Sequence, residues 1–291
     1  MFRGSIVPII TPFKDGELDL DALAELIEWQ IESGSHGISV QGTTGEPASL
    51  TLDERKQVIK TSAEVIKGRV PFIPGSGSVH HAETLELSRY AEEVGADGLL
   101  LISPYYLRPS QEGIFQHFDA VAKQTELPII LYNIPGRTAV NIEIDTVARL
   151  KDANDNIVGV KESNKDFEHI NRLIHKMGRD FGVYSGIELL CYPILAIGGA
   201  GYVSATGNLM PKEVANLYNL VDAGKWQEAQ DLHYSMMTLN DAIFFEINPV
   251  PVKTILGMMG KCSSEVRLPL APVSEANRQR LEVIAQDYGL I

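Results

Sequence analysis

Short apolar runs alternate with longer segments of helical periodicity through most of this 291-residue chain. Two parallel strands need a crossover of a dozen or more residues, usually a helix, so this alternation predicts an α/β fold with a parallel sheet. Eight such strand–helix units fit into about 220 residues, which is the count of a (β/α)8 TIM barrel. The predicted strands cover residues 5–10, 37–41, 70–74, 98–103, 128–132, 157–161, 182–184 and 201–204.

Helix-start signals support the same arrangement. Asp19 precedes an amphipathic segment that extends to Ser33, and Thr51 with Glu54 three residues later forms a capping box for the next helix. A doubly wound open sheet is the alternative fold, but it usually has fewer strands and carries a glycine-rich phosphate loop after the first strand. The first predicted loop, residues 11–13, contains no glycine, so the barrel is the preferred prediction.

The strand pattern stops near Gly224. Residues 225–241, 249–259 and 274–288 have helical patterns without an intervening strand. We therefore predict two parts, a barrel over residues 1–224 and a C-terminal helical extension over residues 225–291.

Charge and composition argue against several classes of function. With 38 acidic and 25 basic residues, the formal net charge of −13 argues against nucleic acid or an anionic membrane as a partner. No apolar run approaches the ~20 residues of a membrane span, and no signal-peptide pattern precedes the first strand, so we expect a cytoplasmic protein. Cys191 and Cys262 are far apart and no HExxH pattern occurs, so neither a disulfide framework nor a metal site is expected.

The most informative single residue is Lys161, which ends the predicted strand over residues 157–161. In a barrel, the C-terminal ends of the strands face the ligand site. An apolar floor and little water disfavour the charged ammonium there, and the neutral amine can condense with a ketone or aldehyde to form a Schiff base. The alternative is a solvated lysine at the end of a strand, which this segment alone does not exclude.

A glycine-flanked pair of hydroxyls follows the second predicted strand and would share that rim with Lys161. The segment of residues 42–46 can offer backbone N–H groups and the hydroxyls of Thr43 and Thr44 to a small carboxylate. The alternative is a turn that only caps the following helix.

Tyr132 and Arg137 follow the fifth predicted strand. Tyr132 ends its strand as Lys161 does, so its phenol could move protons for an imine, with Thr44 as a relay. Alternatively, Tyr132 is an aromatic lid over the barrel core. Arg137 lies in a tight turn and suits either bidentate binding of a carboxylate or a loop salt bridge.

Five segments, in this order, resemble the dihydrodipicolinate synthase family, which belongs to the pyruvate-dependent class I aldolase superfamily together with N-acetylneuraminate lyase. The resemblance covers essentially the whole chain, and the family within the superfamily is indicated mainly by Arg137, by Tyr106 and by the last segment. The segments are Gly42-Thr43-Thr44-Gly45-Glu46, Ser103-Pro104-Tyr105-Tyr106, Tyr132-Asn133-Ile134-Pro135-Gly136-Arg137-Thr138, Gly159-Val160-Lys161-Glu162 and Asn248-Pro249-Val250-Pro251-Val252-Lys253.

The resemblance implies a lyase that condenses pyruvate with L-aspartate 4-semialdehyde to 4-hydroxy-tetrahydrodipicolinate, in lysine and diaminopimelate biosynthesis. Lys161 would form the Schiff base with pyruvate, and Tyr132 would donate and accept protons at the imine. Thr44 would link Tyr132 to Tyr106, with Tyr106 reaching in from a neighbouring subunit of a homodimer or homotetramer. No metal or organic cofactor is implied, because the lysine itself serves as the electron sink.

The resemblance also implies how the substrates are held. Thr43 and Thr44 would bind the carboxylate of pyruvate, and Arg137 that of the aldehyde substrate. Gly186 and Val203 would line the pocket through their backbone oxygens.

Two departures from the family pattern keep an alternative function open. Ile187-Glu188 stands where the family often has aspartates, and Ser163-Asn164-Lys165 replaces the familiar Ala-Thr/Ser-Gly. Both segments border the pocket for the second substrate. The alternative is a catabolic aldolase or dehydratase that acts on a 2-keto sugar acid or related keto acid through the same lysine. A non-catalytic keto-acid sensor is a third possibility, but a sensor needs no proton relay.

Overall fold

A computed structural model describes residues 2–291 of the chain. Seven parallel strands form one sheet in the order β4-β1-β9-β8-β7-β6-β5, and β2 and β3 form a small antiparallel hairpin that the sequence analysis did not predict. The strands are β1 (Gly4–Pro8), β2 (Phe13–Lys14), β3 (Glu17–Leu18), β4 (Gly37–Ser39), β5 (Leu99–Ile102), β6 (Ile129–Asn133), β7 (Ile157–Glu162), β8 (Gly182–Ser185) and β9 (Gly201–Val203).

Residues 70–74 do not form a regular strand, so that prediction is wrong. This segment lies between β4 and β5, but Phe72 makes only one isolated parallel bridge to β4, and the single bridge to β5 comes from Gly75 just beyond the segment. Pro71 and Pro74 have no N–H group to donate, so a continuous ladder cannot form. Their carbonyl oxygens still accept hydrogen bonds from the N–H groups of Ile38 (2.9 Å) and Leu100 (3.0 Å). The barrel topology is confirmed, and this irregular segment holds the position of its eighth strand.

Helices follow the strands as predicted, and the predicted helix starts are confirmed. Asp19 accepts a hydrogen bond from the N–H of Ala22, and Thr51 with Glu54 forms the complete capping box. The helices are α1 (Leu20–Glu32), α2 (Leu52–Ile66), α3 (His81–Glu93), α4 (Gln111–Ala122), α5 (Pro135–Thr138), α6 (Ile144–Ala153), α7 (Phe167–Met177), α8 (Cys191–Ala196), α9 (Pro211–Asp222), α10 (Trp226–Ser235), α11 (Met237–Ala242), α12 (Val250–Met258) and α13 (Glu275–Asp287).

Side chains alternate between the barrel interior and the layer beneath the helices, as strand geometry requires. The largest core cluster lies between the sheet and the helices and includes Val7, Leu99, Leu131 and Val160. A smaller cluster fills the inside of the barrel. Its members are Ile6, Ile73, Leu100, Ile130, Tyr132, Tyr184, Ala200 and Val203. Because the interior is filled, a ligand can be held only at the rim.

The register of the parallel strands brings Lys161 into a row of interior side chains. Tyr132 on β6 pairs with Ile102 on β5 and with Lys161 on β7, and Lys161 pairs in turn with Tyr184 on β8. Paired residues of neighbouring strands face the same side of a sheet. Lys161 and Tyr132 therefore lie side by side near the C-terminal ends of their strands.

The chain after α9 forms helices α10–α13, as the helical pattern predicted, but the single helix predicted over residues 225–241 is divided at Met236 into α10 and α11. Helix α12 packs against α13 and against the 3₁₀ turn Ala205–Asn208, which follows β9. None of the helices formed by residues 2–291 is long and apolar enough to cross a bilayer.

Candidate active site

A cavity of about 290 Å³ opens beside the C-terminal ends of β4, β5 and β6. Several of the predicted site residues reach its wall, and so do residues that follow α11 in the C-terminal part of the chain. The lining includes Thr43, Tyr105, Tyr132, Arg137, Asn248 and Leu270.

Lys161 is buried behind this wall, with 4% of its surface exposed. Its amine nitrogen lies 3.9 Å from the centroid of the Tyr132 ring. Gly186 makes room for it, because a Cβ atom at that position would come within 2.8 Å of Cε of Lys161. The alternative of a solvated lysine at a strand end is therefore wrong.

The phenol of Tyr132 is surrounded by polar groups. Its oxygen lies 3.3 Å from the hydroxyl of Thr43. Burial by itself raises the pKa of Tyr132, but the positive charge of Lys161 and hydrogen bonds with Thr43, Lys161 and Ser163 outweigh it, so the pKa lies below its usual value of 10.0. A buried phenol with a lowered pKa beside an amine is suited to proton transfer.

Thr44 does not make the contact with Tyr132 that the sequence analysis predicted. Its hydroxyl accepts a hydrogen bond from the side-chain amide of Asn248 at 3.0 Å. The two threonines are consecutive in the 3₁₀ turn Thr43–Gly45, so their side chains leave the backbone about 120° apart and only one of them can face Tyr132. The hydroxyl that occupies the predicted relay position is that of Thr43.

Arg137 lies at the mouth of the cavity, on the short helix α5. Its guanidinium donates a hydrogen bond to the backbone oxygen of Asn248 at 3.1 Å, and burial lowers its pKa from the usual 12.5. Among residues 2–291, no carboxylate forms a salt bridge with it, so the predicted alternative of a loop salt bridge is wrong. The guanidinium is available to an anionic ligand.

In the single chain, Tyr106 lies apart from the other predicted site residues. It is 87% exposed, and within residues 2–291 its hydroxyl has no hydrogen-bond partner. Its neighbour Leu107 is 68% exposed, whereas Tyr105 turns inward and lines the cavity.

Gly186 and Val203 lie close to the buried lysine and tyrosine. The backbone oxygen of Gly186 accepts a hydrogen bond from the hydroxyl of Ser163 at 3.2 Å. Val203 is 3% exposed and belongs to the interior cluster that also contains Tyr132. Ser163, which the sequence analysis named only as part of a departure bordering the pocket, is thus a polar group beside Tyr132 and Gly186.

The other departures from the family pattern lie outside the cavity wall. Glu188 is buried and accepts hydrogen bonds from the hydroxyl of Ser204 (2.5 Å) and the N–H of Ala205 (2.7 Å). Burial raises the pKa of this carboxyl group. Asn164 donates its backbone N–H to Glu162 at 2.9 Å.

Glu162 fixes the end of β7 from the opposite face of the sheet. Its two carboxylate oxygens accept from the side-chain amide of Asn133 at 2.9 and 3.0 Å, and Nε2 of His169 on α7 lies 3.5 Å away. The neighbouring carboxylate of Glu162 raises the pKa of His169. Among residues 2–291, no three His, Cys, Asp or Glu side chains are grouped to hold a metal ion.

Known proteins resemble this chain over its full length. Residues 1–288 match the sequence model of the Dihydrodipicolinate synthetase family. A 4-hydroxy-tetrahydrodipicolinate synthase of Geotalea uraniireducens is 48% identical over 291 residues, which cover 100% of both chains. The crystal structure of dihydrodipicolinate synthase from Aquifex aeolicus is 42% identical, with a TM-score of 0.98 over 99% of each chain. A chloride-inhibited dihydrodipicolinate synthase from Acinetobacter baumannii, complexed with pyruvate, is 40% identical, with a TM-score of 0.97 over 100% of each chain.

Proposed function

Because the chain belongs to the dihydrodipicolinate synthetase family, we propose that it is a 4-hydroxy-tetrahydrodipicolinate synthase. This lyase condenses pyruvate with L-aspartate 4-semialdehyde in lysine and diaminopimelate biosynthesis. The observation that carries the proposal is the buried amine of Lys161, 3.9 Å from the ring of Tyr132, whose phenol meets the hydroxyl of Thr43.

The reaction begins at Lys161. Its neutral amine attacks the ketone carbon of pyruvate, and loss of water gives an imine that draws electrons from the adjacent methyl group. The phenol of Tyr132 supplies the proton that the departing hydroxyl needs. It then helps to remove a proton from the methyl group, which leaves an enamine.

The enamine forms the new carbon–carbon bond. Its carbon attacks the aldehyde, and the aldehyde oxygen takes up a proton. The amine of the second substrate then displaces Lys161 from the imine carbon, which closes the ring and frees the lysine. Each turnover therefore releases one water and restores the enzyme.

The two substrate carboxylates are assigned to different parts of the wall. We assign the pyruvate carboxylate to the turn Thr43–Gly45, since the hydroxyl of Thr43 lies 3.3 Å from the phenol of Tyr132 and such a turn can offer backbone N–H groups to an anion. Arg137 at the mouth is suited to the carboxylate of the aldehyde, because a guanidinium binds a carboxylate bidentately. Gly186 and Val203 complete the pocket.

The positions of the residues that depart from the family pattern favour a synthase over a catabolic aldolase or dehydratase. The carboxylate of Glu188 accepts hydrogen bonds from Ser204 and Ala205, and it does not line the cavity. Only Ser163 adds a new polar atom beside the reacting groups, and a hydroxyl there is compatible with either substrate. Full-length relatives that carry the synthase name add to this preference.

The complete enzyme is proposed to be a homodimer or homotetramer in which Tyr106 is shared across the dimer interface. The strong exposure of Tyr106 and Leu107 supports this, because large apolar side chains exposed side by side often mark an interface. The division into a barrel over residues 1–224 and an extension over 225–291, the cytoplasmic location and a reaction without metal or organic cofactor belong to the same proposal.

The proposal is tested with purified protein, pyruvate and aspartate semialdehyde, coupled to the reductase that consumes the product. We expect robust turnover that Lys161→Ala abolishes, since the variant lacks the amine beside Tyr132. Borohydride with pyruvate should attach the three-carbon unit to Lys161, as peptide mass spectrometry would show.

Turnover that persists in Lys161→Ala would overturn the assignment of the lysine. Wild-type protein that borohydride links to pyruvate, but that does not consume aspartate semialdehyde, would retain the chemistry and reject this aldehyde. A screen of 2-keto sugar acids would then follow.

A further inference from the structure

A buried ion pair joins the C-terminal part of the chain to the wall of the active site. Lys253 lies in α12, where every residue from Val250 to Leu256 is buried, and its own exposure is 0%. Its amine lies 2.5 Å from the carboxylate of Glu46, donates to the backbone oxygen of Glu265 at 2.8 Å, and lies 4.1 Å from the centroid of the Phe13 ring.

Glu46 is the residue that connects two short turns of the cavity wall. It follows the turn Thr43–Gly45 and precedes the turn Pro47–Ser49, in a left-handed conformation with φ of 51°. Its side chain is 2% exposed. Apart from Lys253, the polar partner of its carboxylate is the backbone N–H of Arg267, at the long distance of 3.4 Å. The ion pair is therefore the main side-chain anchor of this left-handed residue.

A second residue of the C-terminal part of the chain, five positions before Lys253, contacts the same wall. Asn248, just before α12, donates to the hydroxyl of Thr44 and accepts from Arg137 through its backbone oxygen. Thr43, which faces Tyr132, is thus followed closely by two anchored residues, Thr44 and Glu46. Both anchors come from residues that follow α11.

We propose that Lys253 and Glu46 are positioning residues for proton transfer at the Schiff base. The pair fixes the turn Thr43–Gly45 so that the hydroxyl of Thr43 meets the phenol of Tyr132. This inference rests on the proposed function, because it assigns the contact to the proton transfers at the imine.

Energetics favour a positioning role over a purely stabilising one. Removing two charges from water is costly, and a buried ion pair is often no more stable than well-packed apolar residues of the same size. An apolar pair has no preferred direction, whereas the short contact between carboxylate and amine fixes the position of both groups. A left-handed non-glycine residue beside a catalytic turn is also strained, and it persists only where its surroundings hold it.

The test separates imine formation from proton transfer, and it uses pyruvate alone. Borohydride trapping on Lys161 reports the imine, and exchange of the pyruvate methyl protons in deuterated water reports proton transfer through the enamine. In Lys253→Met we expect trapping within about twofold of wild type and exchange reduced about 100-fold, the loss that a misplacement of about 1 Å can cause.

Two further variants complete the design. Glu46→Gln combined with Lys253→Met leaves no unpaired buried charge, so it should regain the thermal stability that Lys253→Met loses while exchange stays slow. Lys56→Met is the matched control, because it removes a lysine that pairs with Glu86 at 2.5 Å on the surface between α2 and α3. It should leave both readouts unchanged.

Three outcomes would decide against the inference. Exchange at the wild-type rate in a folded double variant would overturn it, as would an equal fall of trapping and exchange in both variants, which indicates general damage. An effect of the same size in Lys56→Met would also overturn it. Failure of the proposed function is distinguishable, because wild-type protein would then not be trapped with pyruvate at all.

Discussion

The residues that form the site can be predicted more directly from their positions in the strands than from their neighbours in sequence. Lys161 and Tyr132 each end a strand, and the strand register brings them together, so the sequence predicted both. It assigned the relay to Thr44 and not to Thr43, because the direction of a side chain in a turn depends on the turn geometry, which the sequence does not reveal. That geometry is set here by contacts with Asn248 and Lys253, far along the chain.

Removal of the Thr43 hydroxyl should raise the pKa of Tyr132, because hydrogen bonds to the phenol now lower it. If the neutral phenol is the proton donor, kcat falls at pH above this pKa, so the alkaline limb of the profile should move to higher pH in Thr43→Val. The loss of the relay should also lower kcat at neutral pH by roughly 100-fold, the lower end for a positioned acid–base group. The measurement is kcat against pH.

Thr44→Val is the matched control for that experiment. It loses the contact with Asn248 that anchors the turn but keeps the hydroxyl of Thr43, so its alkaline limb should move less than that of Thr43→Val. A shifted limb in Thr44→Val with an unshifted limb in Thr43→Val would instead identify Thr44 as the relay, as the sequence analysis predicted.

Whole elements were predicted well where their pattern is regular, and the exceptions have local physical causes. The two prolines of residues 70–74 interrupt the ladder of an otherwise apolar strand, and the two-residue strands β2 and β3 are too short for any periodicity. Helix α7 shows what sequence periodicity does not reveal. It is tied to β7 by the polar contact of His169 with Glu162, beneath the strand that carries Lys161.

The contact of His169 with Glu162 should make the attachment of α7 dependent on pH. The pKa of His169 is raised in the folded protein, so its stabilising contribution is complete below the unfolded value near 6.5 and is lost as pH rises through the folded-state pKa. The thermal midpoint of wild type should therefore exceed that of His169→Gln at pH 5.5, and the difference should shrink at pH 9. Thermal unfolding across this range measures it.

His36→Gln provides a comparison of opposite sign. Burial lowers the pKa of His36, so its contribution is present above the unfolded value and is lost as pH falls. If the two histidine variants instead show the same trend with pH, the change comes from the protein as a whole and the pairing of His169 with Glu162 is not its source.

At the scale of the whole molecule, two features were beyond the reach of the sequence. The hydrogen bond between Asn248 and Thr44 joins residues 204 positions apart, and no local pattern encodes such a contact. The conformation of the loop that exposes Tyr106 and Leu107 is the second feature, although the resemblance implied that Tyr106 serves a neighbouring subunit. Positive φ angles at Tyr106 (68°) and Arg108 (50°) hold this loop outward in a conformation that non-glycine residues rarely adopt.

Leu107→Asp should weaken the proposed dimer, because it places a charge in an apolar contact. We expect wild-type protein to sediment as a dimer or tetramer, and the variant to shift towards monomer with a lower kcat that recovers partly at high protein concentration. Val283→Asp on α13, where Val283 is 56% exposed, is a control that should change neither assembly nor kcat. A monomeric wild type with full activity would contradict the shared role of Tyr106.

The anchoring of residues 43–46 by Asn248 and Lys253 has a consequence for how the protein is made. During synthesis the strands that carry Tyr132 and Lys161 leave the ribosome well before the residues that hold their partner turn in place. A chain interrupted between Val203 and Asn248 would contain every barrel strand and the reactive lysine, yet it would lack both anchors. The reaction therefore requires the complete chain. A truncated product carries the amine of Lys161, but the turn of residues 43–46 that positions Thr43 against Tyr132 is not held in place.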